Sequence, residues 1–98
     1  MKMLTVKLFY ADWCGACRGF KPDWEKIMKE IKNDPQTRNK VKFENFNLDQ
    51  NKKLVEDLGI NQIPTLVFEI NGKNYKYTGD RKMDVICKKI KTICNDKF

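Results

Sequence analysis

Phe9-Tyr10-Ala11-Asp12-Trp13-Cys14-Gly15-Ala16-Cys17 joins a predicted strand to a predicted helix and carries two cysteines at the junction. Residues 3–11 are β-branched and aromatic enough for a strand that becomes buried towards its end. After the cysteines, apolar side chains recur at helical spacing, and this core stripe comprises Cys17, Phe20, Trp24, Ile27, Met28 and Ile31. The C-x-x-C pair Cys14 and Cys17 is therefore predicted where a strand ends and a helix begins.

The remaining chain alternates between predicted strands and helices. Residues 41–48 are predicted as a second strand and residues 51–58 as a short helix that ends at Gly59. Residues 65–70 and 73–78 are predicted strands that flank Asn71-Gly72, a dipeptide typical of a two-residue hairpin turn. A last helix carries Met83, Ile86, Cys87, Ile90, Ile93 and Cys94 on one stripe. The predicted order is β-α-β-α-β-β-α, which is an α/β fold.

The composition is that of one globular domain. The chain has 98 residues, 41% hydrophobic and 34% charged, so we expect residues 1–98 to form a single domain with its own core. No apolar run approaches the ~20 residues of a membrane helix, and the first residues lack the pattern of a signal peptide. We therefore expect a cytoplasmic, monomeric protein that does not associate with membranes.

The charge is positive but spread along the chain. Lys and Arg number 20 against 13 Asp and Glu, giving +7, and only Arg18, Arg38 and Arg81 are arginines. Because the cations form no run and few of them are arginine, we expect no nucleic-acid partner. Histidine is absent, which excludes mechanisms that need an imidazole base.

Cys87 and Cys94 form a second and different pair. Two helical residues seven apart have Cα atoms ~10.5 Å apart, which exceeds the ~7 Å limit for a disulfide. Their spacing is also not that of a zinc knuckle, so we expect neither a metal site nor a cofactor. We predict that both thiols lie in the core. The alternative is a regulatory role, by glutathionylation or by an intermolecular disulfide if one thiol is exposed.

Several motifs, in order along the chain, resemble the thioredoxin superfamily. Phe9–Cys17 looks like the family's F-Y/W-A-x-W-C-G-x-C, and Pro22 matches the proline that kinks its helix. Residues 59–65, Gly-Ile-Asn-Gln-Ile-Pro-Thr, look like the family's G-I/V-x-x-I/Y-P-T. Asn71-Gly72 and Gly79 fall where the family has its hairpin turn and a late glycine.

The resemblance implies a thioredoxin-like fold with a four-stranded mixed sheet flanked by helices. We expect a shortened version of this fold, because the first strand lies about twenty residues earlier in the chain than the resemblance would place it. Residues 75–81, Tyr-Lys-Tyr-Thr-Gly-Asp-Arg, are similar to the ending of protein disulfide isomerase catalytic domains. Two subfamilies therefore fit.

The position of the thiols indicates their roles. Cys14 lies at the positive end of the predicted helix, which favours the thiolate and makes Cys14 the expected nucleophile. Cys17, one turn inward, is the expected resolving thiol that leaves Cys14 and Cys17 joined in a redox-active disulfide. The alternative is that the two cysteines are merely core thiols or half of a metal site.

The resemblance also implies a substrate groove. The Ile63–Pro64 bond would be cis, with Pro64 packed against the thiols and Ile63 offering backbone groups to an extended substrate. For Trp13, plain core packing is the alternative. The shallow apolar rim of the groove would comprise Trp13, Ile60, Ile63 and Gly79.

Two positions depart from the family pattern. The buried carboxylate that the family places six residues before the first cysteine is replaced by Leu8, and the lysine that often accompanies it is replaced by Asn45. A carboxylate at Leu8 would take the proton from Cys17. We expect this proton to pass to water, to Asp12 or to another group.

The sequence therefore predicts a thiol-disulfide oxidoreductase that acts on protein disulfides and is of the reductase type. A thioredoxin reductase or a thiol oxidase would be its redox partner. The alternatives are an oxidase or isomerase, and a redox-independent interaction subunit with the thioredoxin fold.

Overall fold

The computed structural model describes residues 3–97 of the chain. This part contains four strands and three α-helices, joined by loops and turns. The elements are β1 (Leu4–Tyr10), α1 (Gly15–Asn33), β2 (Val41–Asn47), α2 (Lys52–Asp57), β3 (Thr65–Ile70), β4 (Lys73–Lys76) and α3 (Met83–Lys97). The strand order is β2-β1-β3-β4, with β1 and β2 parallel and the other pairs antiparallel. The predicted element order and the four-stranded mixed sheet are confirmed.

The element boundaries differ from the prediction in a few places. β2 ends at Asn47, whose side chain accepts a hydrogen bond from the Asp49 backbone N–H at 2.9 Å and starts a single 3-10 turn. β4 ends at Lys76 instead of residue 78, because the Tyr77 hydroxyl donates to the Asp80 carbonyl at 2.6 Å and the chain turns there. Helix α1 is one continuous helix from Gly15 to Asn33, with Pro22 inside it.

The turns formed as their residues predicted. Gly59 has φ +66° and follows α2, the left-handed conformation in which glycine ends a helix. Asn71 and Gly72 have φ of +53° and +83°, the pair of positive values that a type I′ hairpin turn requires.

Each face of the sheet has its own core. Leu4, Val6 and Leu8 of β1 point to the face that α1 and α3 cover, together with the buried stripes of both helices. Phe9 points to the opposite face, where it packs with Val55 of α2. β1 is therefore buried on both faces and paired with β2 and β3 at its two edges, which fixes the end of the strand from which the following loop starts.

Helix α2 has only six residues, so it covers only part of its face of the sheet. Lys7 lies on the same side of β1 as Phe9, by strand alternation, and its side chain is 11% exposed. Its ammonium pairs with the Glu69 carboxylate at 2.6 Å and donates to Asn74 Oδ1 at 3.2 Å. These polar partners allow a lysine to stand in the middle of a sheet.

Candidate active site

Cys14 is the last residue of the segment 11–14, which connects β1 to α1. Its backbone N–H donates to the Ala11 carbonyl at 3.2 Å, and its own carbonyl accepts from the Arg18 N–H at 3.1 Å. Its φ and ψ of −87° and 112° are those of an N-cap, and its Sγ accepts a hydrogen bond from the Cys17 N–H at 3.1 Å. The sulfur thus takes the place of the usual cap oxygen at a helix N-terminus, where negative charge is favoured.

The Cys14 thiol also faces the loop that precedes β3. It donates to the Ile63 carbonyl oxygen, with sulfur and oxygen 3.8 Å apart. The Ile63–Pro64 peptide bond is cis. Cys14, Cys17 and Ala11 form a small buried cluster against which Ile63 packs. The predicted pair of thiols and the predicted proline loop are therefore neighbours.

Cys17 lies in an environment that favours its protonated form. Burial and, after it, the hydrogen bond with the Cys14 thiol raise the pKa of Cys17 to about 11. A backbone hydrogen bond from Ala11 and the positive charge of Arg81 act in the lowering direction. Cys17 therefore keeps its proton at neutral pH, and it becomes a nucleophile only when a base removes that proton.

The residues beneath the helix supply no such base. Leu8 is 7% exposed and stands opposite Asn45 in the parallel register of β1 and β2. The Asn45 side-chain oxygen accepts from the Trp24 indole N–H at 3.0 Å. The predicted alternative, Asp12, is exposed and accepts from Asn47 Nδ2 at 3.5 Å. No carboxylate is among the groups in residues 3–97 that shift the pKa of Cys17.

Four of the five predicted groove residues line one depression. Its volume is about 270 Å³, and it lies beside the proline loop. Ile60 contributes to it although that side chain is mostly packed into the core on the α2 face. A Cβ on Gly79 would lie 2.6 Å from the Tyr77 hydroxyl, so a larger residue there would require the Tyr77 ring to move. The four residues are Ile60, Ile63, Pro64 and Gly79.

Trp13 is the predicted groove residue that does not line this depression. Its side chain is 62% exposed, which rules out plain core packing. Its indole N–H donates to Asp49 Oδ2 at 3.1 Å, so the ring is tethered although it faces solvent. Trp13 directly precedes Cys14 and stands as an exposed aromatic surface next to the thiols.

Sequence reasoning missed three residues of this region. Asp49 orients Trp13, Tyr77 lines the depression and fixes the turn after β4, and Arg81 places a positive charge near Cys17. Arg81 belongs to the quoted residues 75–81, which gave no role for it. Asp49 is distant in sequence from the thiols, and only the parallel pairing of β1 with β2 brings it to them.

No helix within residues 3–97 is both long and apolar enough to cross a membrane. In the same residues no group of three or more cysteines, aspartates and glutamates is arranged to hold a metal ion.

Comparisons with known proteins place this geometry in context. Residues 2–92 match the family model described as Thioredoxin. The chain is 38% identical over 86 residues to "Thioredoxin domain-containing protein R362" of Acanthamoeba polyphaga mimivirus, covering 86% of this chain and 25% of that protein. It is 34% identical over 80 residues to human "Protein disulfide-isomerase A6", covering 80% of this chain and 18% of that protein. The chain thus spans a quarter or less of these two relatives.

A solved structure resembles the whole described fold. The crystal structure of thioredoxin from Trypanosoma brucei brucei superposes with a TM-score of 0.78 at 29% sequence identity. The match covers 96% of this chain and 77% of that one.

Proposed function

Because the chain belongs to the thioredoxin family, we propose that it exchanges disulfides with protein substrates through Cys14 and Cys17. The observation that carries the proposal is the Cys14 sulfur at the N-cap of α1, hydrogen-bonded to the Cys17 N–H at 3.1 Å. One sulfur is positioned to react as a thiolate, and the second is one helical turn away and holds its proton.

The reduction of a substrate disulfide takes place in two steps. The Cys14 thiolate attacks one sulfur of a substrate disulfide, forming a mixed disulfide and releasing the other substrate sulfur as a thiolate. Cys17 then loses its proton and attacks Cys14 Sγ, which releases the second substrate thiolate and leaves a Cys14–Cys17 disulfide. The substrate gains two electrons, and the Cys14–Cys17 pair loses them.

Water is the proposed acceptor of the Cys17 proton. Leu8, which stands where the family pattern has an acid, is a buried hydrocarbon side chain, and Asp12 accepts a hydrogen bond from Asn47. The departing substrate thiolate is a second base at hand in the mixed disulfide. The Arg81 charge assists this step, because it favours the thiolate form of Cys17.

We propose the reductase direction. A dithiol becomes strongly oxidising when its surroundings stabilise the reduced thiolate form. Here the hydrogen-bond partners of the Cys14 sulfur are uncharged: the Cys17 backbone N–H, the Ile63 carbonyl and the Cys17 thiol. The loop between the cysteines is the uncharged Gly15-Ala16. A thioredoxin reductase would then restore the dithiol. The two buried unpaired thiols of α3 favour a reducing compartment such as the cytoplasm.

An oxidase or isomerase is the second candidate, with a thiol oxidase as its partner. The likeness to human protein disulfide-isomerase A6 and the Arg81 charge near Cys17 favour it. The third reading, a redox-independent subunit, predicts a protein with no exchange activity at all.

The reduction of insulin by dithiothreitol, followed by turbidity, tests the activity. We expect the protein to accelerate it, and no acceleration would support the redox-independent subunit. The equilibrium between Cys14–Cys17 and glutathione or dithiothreitol buffers then gives the direction. A potential near about −270 mV is expected for a reductase, whereas one near about −180 mV would contradict it in favour of an oxidase or isomerase.

A further inference from the structure

A second groove runs between the β3–β4 hairpin and the outer face of α3. Its volume is about 910 Å³, whereas the depression beside the proline loop has a volume of about 270 Å³. Phe68 and Ile93 contribute buried apolar surface to it. Tyr75, which is 51% exposed, and Val85, which is 37% exposed, also line it. These four side chains give the groove an apolar lining.

The walls of this groove carry only positive charge. Lys73, Lys76, Lys88 and Lys89 line it, and no aspartate, glutamate or arginine does. Lys76 donates to the Gly59 carbonyl at 2.7 Å. The other three form no salt bridge with any residue in the described part of the chain. Their charges are therefore available to an acidic ligand.

The groove is continuous with the depression beside the proline loop. Four consecutive residues, Lys76, Tyr77, Thr78 and Gly79, line both. A chain that lies along the proline loop can therefore continue past Gly79 onto the lysines. β4 is also an edge strand whose four residues are all exposed, so an extended segment can run beside it.

We infer that the lysine groove binds an acidic, extended segment of the substrate protein, next to the disulfide that reaches Cys14. This inference rests on the proposed function. The groove lies along an exposed edge strand and shares four lining residues with the depression, which suits an extended polypeptide, and its lysines complement carboxylates. A second copy of the chain does not fit, because two chains of net charge +7 repel each other.

Binding of a labelled peptide tests the groove without any redox chemistry. The probe is a cysteine-free, fluorescein-labelled peptide of alternating Glu and Ser, compared with the same peptide carrying Gln for Glu. We expect the protein to bind the Glu peptide more tightly. The triple variant Lys73→Gln, Lys88→Gln, Lys89→Gln should weaken that binding by about tenfold, as expected for the loss of three exposed ion pairs.

A matched variant separates the groove from the net charge of the molecule. Lys26→Gln, Lys29→Gln and Lys32→Gln remove the same charge from exposed positions of α1 that line neither the groove nor the depression. Equal loss in the two triple variants would overturn the inference. So would tighter binding of an oligothymidine of equal charge, which would assign the groove to nucleic acid.

Kinetics then test whether the acidic segment belongs to a substrate. Two peptides with an internal disulfide, one flanked by Glu residues and one by Gln, are reduced by each variant. We expect the native protein to prefer the Glu peptide by about tenfold and the groove variant to lose this preference. Equal rates on both peptides would overturn the inference while leaving the proposed function intact. Failure to reduce both peptides and a small linear disulfide such as hydroxyethyl disulfide would instead overturn the proposed function.

Discussion

At the scale of single residues, the chemistry depends on what surrounds two sulfurs. The sequence identified Cys14 and Cys17 because their spacing and the strand before them are local features. It also exposed the missing acid at Leu8, a position that the structure buries among apolar side chains. The tether of Trp13 to Asp49 and the charge of Arg81 near Cys17 depend on distant loops, so local patterns did not reveal them.

Restoring an acid at position 8 should destabilise the fold. In Leu8→Asp the carboxyl group would be buried opposite Asn45, whose side-chain oxygen already accepts from Trp24. Burial disfavours the charged form, so we expect a loss of a few kcal/mol relative to the native protein. The folded pKa of the new acid would lie above its unfolded value, so this loss should grow as the pH rises above about 4.

Urea unfolding from acidic to neutral pH checks this prediction, with Leu8→Asn as the uncharged control. The two variants should be similar at the acidic end and diverge as the aspartate ionises. Equal stability of both variants at every pH would mean that position 8 is open to water.

At the scale of elements, the contact between α1 and α3 includes a buried thiol, Cys87 of α3. Cys87 hydrogen-bonds to Glu30, and Glu30 also pairs with Lys91 at 3.2 Å. Burial, followed by that hydrogen bond, raises the pKa of Cys87 to about 12. The apolar stripe of α3 predicted core positions for Cys87 and Cys94, and both are buried. The partner Glu30 was not predictable, because the stripe fixes which face is inside but not which residue of α1 meets it.

Alkaline pH should weaken this contact. The ordinary pKa of the thiol is 9.0, so above about pH 9 the unfolded chain releases the Cys87 proton while the folded chain keeps it until about 12. The Cys87 contribution to the free energy of unfolding is therefore complete below pH 9 and falls above it, by at most about 1.4 kcal/mol per pH unit.

The comparison of the native protein with Cys87→Ala by urea unfolding isolates this effect. The destabilisation caused by Cys87→Ala should shrink between about pH 8 and pH 10. That caused by Ile86→Val, at a buried neighbour without a titratable group, should stay constant. A constant difference for Cys87→Ala would contradict the buried, protonated thiol. Turnover should stay within about twofold, because Cys87 packs in a different cluster from the active thiols.

At the scale of the whole molecule, the sheet organises both the predictable and the unpredictable features. Order and type of the elements followed from the periodicity of apolar residues, the Asn71-Gly72 turn and the glycine after α2. The ion pair of Lys7 with Glu69 was not foreseen, because it depends on how little of the second sheet face the short α2 covers. The lysine groove likewise forms only when the hairpin and α3 come together, and it gathers four of the chain's lysines on one surface.

Trapping a substrate on Cys14 tests the central claim most directly. Cys17→Ser removes the resolving thiol, so this variant should accumulate a mixed disulfide with a peptide that carries one internal disulfide. Mass spectrometry of the protein digested without reductant should find the peptide joined to Cys14. Cys14→Ser should form no such adduct and should not accelerate insulin reduction. An adduct at Cys87 or Cys94 in place of Cys14, or full activity of Cys14→Ser, would contradict the assignment of Cys14 as the nucleophile.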